Sequence, residues 1–153
     1  MKYIVLLLFV ITFYSCTHEE LNPSKKPETL SELSGEWRCT RFKTEAGLQE
    51  EAPHGITVFY ESGIILKSDK SFIPVRYLPL DQLWQQVSEE EMSGYVAVFD
   101  YDSLSNLLTL TIGLDSGEKI FDVQYEIESL TSDELTLRHS QNSNLILYLH
   151  RQQ

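Results

Sequence analysis

The side chains here that can do chemistry are few: two cysteines, four histidines and a scatter of carboxylates. Cys16 follows the small Ser15 at the end of an uncharged apolar run. A thiolate in that place is a nucleophile suited to accepting a lipid group. Cys39 sits inside an apparent strand and is expected to be a small buried apolar residue. With Cys16 modified, Cys39 has no cysteine to pair with, and no intramolecular disulfide is expected. His18, His54, His139 and His150 are too scattered to form metal-ligand spacing, so no metal is expected. Asp100 and Asp102 end a strand. Paired carboxylates serve glycoside hydrolysis or calcium binding, but no further acids follow at loop spacing, and a solvated turn is the expectation. There is no Gly-x-Ser-x-Gly, no Gly-rich phosphate loop and no Cys/His nucleophile pair. No catalytic residue, no cofactor and no enzymatic activity are expected.

The residues before Cys16 give its chemistry a setting. Lys2 supplies a positive charge, and Tyr3 to Tyr14 is an uncharged stretch. A spanning helix needs about 20 apolar residues, so this run fits the core of a signal peptide instead. Its end, Phe13-Tyr14-Ser15-Cys16, resembles the lipobox of bacterial lipoproteins, with Phe13 where Leu is usual. The resemblance implies residues 1–15 as a removed signal peptide and palmitate-type acylation of Cys16. More than one acyl chain makes a stable anchor. Residues 16–29 are polar, carry Pro23 and Pro27, and read as a tether reaching at most about 40 Å. Glu19-Glu20 loosely resembles an acidic export signal for the cell surface. The expected location is therefore the cell envelope, lipid-anchored, on the periplasmic or surface face of the outer membrane.

Charge narrows the partners. The chain carries −11 at pH 7, and loss of the signal, with Lys2 and no acid, takes this to −12. Such a domain does not bind nucleic acid through phosphates. It is also repelled by anionic lipid surfaces, which leaves the lipid on Cys16 as the membrane contact.

From Leu30 the apolar pattern has mostly period two, which predicts a single domain over 30–153. Strands are expected at 37–43, 56–60, 64–67, 71–77, 95–101, 107–112, 120–128, 134–139 and 144–150. The second and third would form a hairpin around Glu61-Ser62-Gly63. The alternation is cleanest at Phe121, Val123, Tyr125 and Ile127. One segment breaks the rhythm. Leu80, Leu83, Trp84 and Val87 fall at helical spacing, and Pro79 and Asp81 suit a helix start, so a short inserted helix ending near Ser88 is expected.

Two stretches carry a family resemblance. Leu30 to Trp37 ends in Gly35-Glu36-Trp37 and is similar to the opening of lipocalin-like domains. Tyr125 to Leu137 and the closing strand to Arg151 resemble small lipocalin-like lipoproteins of Gram-negative gut bacteria. The resemblance implies an all-β, up-and-down barrel of about eight antiparallel strands. It also implies that Trp37 closes one end under an Arg, Arg151 by parity, with Arg138 as the competitor. A small apolar ligand is implied in turn. The inward candidates Trp37, Phe59 or Tyr60, Phe99, Phe121, Tyr125, Leu137 and Leu147 are large. A packed, ligand-free barrel that meets an envelope protein as an accessory or inhibitory module is therefore the alternative.

Overall fold

The structure is a computed structural model describing residues 26–53 and 62–153. The expected strand at 56–60, the residues Phe59 and Tyr60, and Cys16, His18 and His54 lie outside the described residues. A single helical turn, α1 (Leu30–Leu33), leads into β1 (Gly35–Thr44). Then follow β2 (Gly47–Gln49), β3 (Gly63–Leu66), β4 (Phe72–Leu78), β5 (Leu83–Gln86) and β6 (Tyr95–Asp102). The chain closes with β7 (Leu107–Leu114), β8 (Lys119–Leu130), β9 (Glu134–His139) and β10 (Ile146–Arg151). Among the described residues every strand pairing is antiparallel, in the order β5-β4-β3-β1-β10-β9-β8-β7-β6, with β2 a side hairpin on β1.

Pairing of the first strand with the last curls this sheet into a barrel. The two ends of the path are β5 and β6. The sheet closes at a seam where Ser71, just before β4, bridges to Val98 of β6 and the Phe99 N–H donates to the Lys70 carbonyl at 2.8 Å. Alternate residues of each strand point inward. Trp37, Phe99, Tyr125, Leu137 and Leu147 are each no more than 2% exposed, and Phe121 is half-buried against the same core. Cys39 is inside as well, its thiol donating to the Arg41 carbonyl. The turns use the side chains that suit them. Leu104 N–H and Ser105 Oγ donate to the Asp102 carboxylate, and Asn106 takes φ +59° with its amide on the Ile127 carbonyl. Asp100 is ion-paired to Lys70. Both carboxylates are therefore occupied in the turn and the seam.

The expected helix after Pro79 is not formed. Residues 79–82 make a turn, and β5 pairs back on β4 with Trp84 opposite Tyr77 and Leu83 opposite Leu78. The physical reason is the absence of a surface to bury a helical stripe. Leu80 is 98% exposed, and Trp84 instead packs at 5.0 Å on the Tyr77 ring, a contact a strand register supplies. Gln82, at φ +50°, turns the chain before the strand. Glu91, a poor fit for a helix C-terminus, closes a capping box without a long helix: Ser88 Oγ accepts its N–H and its carboxylate accepts the Ser88 N–H.

Candidate functional site

The two ends of the barrel are built differently. At the end where β1 begins and β10 finishes, α1 lies across the interior. Leu33 and Trp37 are fully buried, and Trp37 Nε1 donates to the Leu33 carbonyl at 2.8 Å. Arg151 is the direct cross-strand partner of Trp37, and its guanidinium sits 4.3 Å over the indole. Its two terminal nitrogens donate to Ser34 O at 2.9 Å and Glu32 O at 2.6 Å. One cation thus satisfies carbonyls that a short helix leaves without partners. Gly35, at φ +140°, makes room: a Cβ there would come within 3.3 Å of that guanidinium. Arg138 lies on the opposite face of the sheet, held by Glu128 and the Ser143 carbonyl. Pro27 is buried at this end too, and its carbonyl accepts the Tyr101 hydroxyl at 3.0 Å. The packed domain therefore takes in the last residues of the expected tether. Burial, with the nearby Asp102 and Glu32 charges, pushes the Tyr101 hydroxyl above its usual range.

At the other end, the mouth, the inward apolar side chains are only half-buried. Phe42, Ile112, Phe121, Leu145 and Met92 rim it. Two polar side chains join them. His139 continues the inward row of Leu135 and Leu137, and its ring stands edge-on to Tyr125 at 5.4 Å. Its Nδ1 accepts the backbone N–H groups of Gln141 and Asn142, both at 3.1 Å, so the ring proton resides on Nε2. Arg76 shares the inward face of β4 with Phe72 and Pro74. Its guanidinium donates to Gln85 Oε1 at 3.2 Å and pairs with Glu91 at 2.8 Å. The Ser88 N–H, first, and Arg76, second, hold the Glu91 carboxyl below its ordinary range. The sequence marks His139 only as a histidine outside metal-ligand spacing and does not single out Arg76. Arg76 has the parity of Phe72 and His139 that of Leu137, and that alternation was the available signal. His150 faces outward, 3.8 Å from Glu134. Among the described residues no three His, Cys, Asp or Glu side chains gather as a metal site.

His139 gives the mouth a pH dependence. Burial lowers its pKa below the ordinary value of about 6.5. The unfolded chain then binds the proton more readily than the folded one. The stability from neutral His139 is present above the unfolded pKa and is lost as pH falls through the folded pKa. Protonation also places a new N–H against two backbone N–H groups. Chemical denaturation of the wild type at pH 7.5 and at pH 5.5 should show a loss that His139→Asn, whose Oδ1 keeps an acceptor near Nδ1, lacks. Equal losses in both would remove the role.

No family model matches the sequence, and no curated protein sequence does. Among solved structures, the chain is similar to a crystal structure of a lipocalin-like protein from Bacteroides uniformis ATCC 8492, with a TM-score of 0.51 over 79% of this chain and 99% of that one. The fold is lipocalin-like. At 11% identity the likeness speaks for the architecture alone. The lipocalin-like barrel accounts for the contrast between a sealed end and a mouth, since a barrel of this size either fills with side chains or holds one small ligand.

Proposed function

We propose that this protein is a lipid-anchored lipocalin-like protein of the cell envelope that holds a small apolar ligand at the mouth of its barrel. One observation carries the reading: the apolar side chains at the Trp37 end are sealed, whereas those at the mouth are half-exposed around His139 and Arg76. A concave apolar lining with a few placed polar groups is how small-molecule sites are built. The anchor rests on the sequence up to Cys16, and an outer-membrane location goes with it. The burial of Trp37, Phe99 and Tyr125, which fills the lower barrel, favours a second reading: a packed module that meets an envelope protein.

Mass spectrometry of the full-length protein and of Cys16→Ala, purified from the native host, tests both parts. The wild type should carry acyl mass on Cys16, and native spectra should show a retained small molecule. Acyl mass undiminished in Cys16→Ala overturns the anchor. A barrel that is always empty, and that takes up no added lipid extract, overturns the ligand and leaves the packed module.

A further inference from the structure

The two polar side chains at the mouth differ in what their hydrogen bonds leave open, and that difference sets the kind of ligand head that fits. Among the described residues, Arg76 is the one cation on the inward faces at this end. It is already occupied. Its terminal nitrogens meet the two Glu91 carboxylate oxygens at 2.8 and 3.1 Å, and its Nε donates to Gln85 Oε1 at 3.2 Å. Glu91 is fixed in turn by the Ser88 N–H and hydroxyl, both at 3.0 Å. A ligand carboxylate approaching Arg76 therefore meets another carboxylate in the place it needs. The rim turns add to this repulsion: Glu45, Glu89, Glu90, Asp115 and Glu118 are all exposed there.

His139 is the opposite case. Its Nδ1 is used by the Gln141 and Asn142 N–H groups, and its Nε2–H has no acceptor among the described residues. Burial lowers its pKa, so the ring is a neutral donor at pH 7.5. Strand register places that donor. His139 ends β9 opposite Tyr125 of β8, and β8 continues toward the mouth as far as Lys119. Phe121, four residues from Tyr125, stands about 13 Å further along the strand, opposite Ile112 of β7. The rim is therefore uneven. Its low lip at β9 carries one open donor, and the β7–β8 hairpin rises beside it with half-buried Phe121 and Ile112.

Resting on the ligand reading above, we propose that the mouth selects an uncharged ligand, an apolar chain ending in a carbonyl oxygen that accepts the His139 Nε2–H, and that Glu91 excludes carboxylates by occupying Arg76. The chain lies on Phe121 and Ile112, and its oxygen points to the lip at β9. A neutral donor and a neutral acceptor pair there without the large desolvation cost that a charged head would carry.

The test uses the full chain and three probes of equal chain length, 2-dodecanone, dodecanoate and dodecylammonium. Binding is followed at pH 7.5 by calorimetry and by the nitrogen NMR shifts of the His139 ring. 2-Dodecanone should bind at least about ten-fold more tightly than dodecanoate and should move the Nε2 shift. His139→Asn keeps an acceptor for Gln141 and Asn142 but has no donor at the Nε2 position. It should weaken ketone binding by about five- to ten-fold, the worth of one hydrogen bond. Glu91→Gln keeps an acceptor for Ser88 and leaves Arg76 without its anion, so dodecanoate should gain about ten-fold. Wild-type binding of dodecanoate as tight as that of the ketone overturns the selection, and tightest binding of dodecylammonium overturns it in favour of a cationic ligand. Ketone binding that leaves the His139 shift unmoved, or that is unchanged in His139→Asn, overturns the donor. No gain for dodecanoate in Glu91→Gln overturns the role of Glu91. These outcomes leave the ligand reading standing. Binding of none of the three by a folded chain overturns that reading, and this inference with it.

Discussion

Trp37→Ala is expected to lower the unfolding free energy by about 3–5 kcal/mol, the range for removing a buried aromatic. Trp37 is 0% exposed and joins three parts of the sealed end. Its indole N–H holds the Leu33 carbonyl of α1, its ring carries the Arg151 guanidinium, and its backbone pairs with both β10 and β3. Truncation leaves a cavity under α1 and removes the ring against which the half-buried Arg151 guanidinium is packed. Urea denaturation of the wild type and the variant gives the difference directly. A loss below about 1 kcal/mol would mean that the end is closed by other groups. Arg151→Met separates the contributions. It keeps much of the apolar stem but leaves the Ser34 and Glu32 carbonyls without their donor, and should cost about 1–3 kcal/mol.

Gly63→Ala should also destabilise the fold, by less and for a different reason. Gly63 begins β3 and lies opposite Arg38 of β1 and Val75 of β4. A Cβ there would come to 2.7 Å from the Trp37 carbonyl oxygen, 3.3 Å from Val75 Cβ and 3.4 Å from Arg38 Cα. Two of these three atoms are backbone of a central strand and have nowhere to move. The substitution adds one methyl group, yet overpacking of this kind costs about 1–3 kcal/mol. Gly117→Ala offers a control, because it meets no atom within 4 Å and carries only the penalty of φ +92°. Thermal melts of the two variants should rank Gly63→Ala well below Gly117→Ala. The reverse ranking would mean that backbone strain, not the close strand approach, dominates.

Most strands could be read from the chain because a half-buried strand writes its period in the order of its residues. Phe121, Val123, Tyr125 and Ile127 alternate with Asp122, Gln124 and Glu126, and β8 runs through all of them. Glu134–His139 was read to the residue. The segment 79–88 shows where such reading stops. Leu80, Leu83, Trp84 and Val87 fit a helical stripe, but a stripe becomes a helix only when a surface waits to cover it. In the fold, Leu80 faces water and Trp84 finds Tyr77 across a strand pair. The mouth was less legible for a related reason. Parity alone puts Arg76 and His139 on inward faces, yet whether an inward polar residue is partnered depends on turns distant in sequence, here Ser88 to Glu91 and Gln141 to Asn142.

Sequence by itself determined the all-β rhythm, the acidity, the apolar run leading to Cys16, and the Trp37 and Arg151 positions. These are local patterns or charges, and they do not depend on what packs against what. Tertiary structure alone decided that β5 is a strand, that the barrel closes between the start of β4 and β6, and that Arg151 and not Arg138 sits over Trp37. Each of these turns on which surfaces meet across the barrel: a pairing register, a closing bridge, a ring beneath a guanidinium.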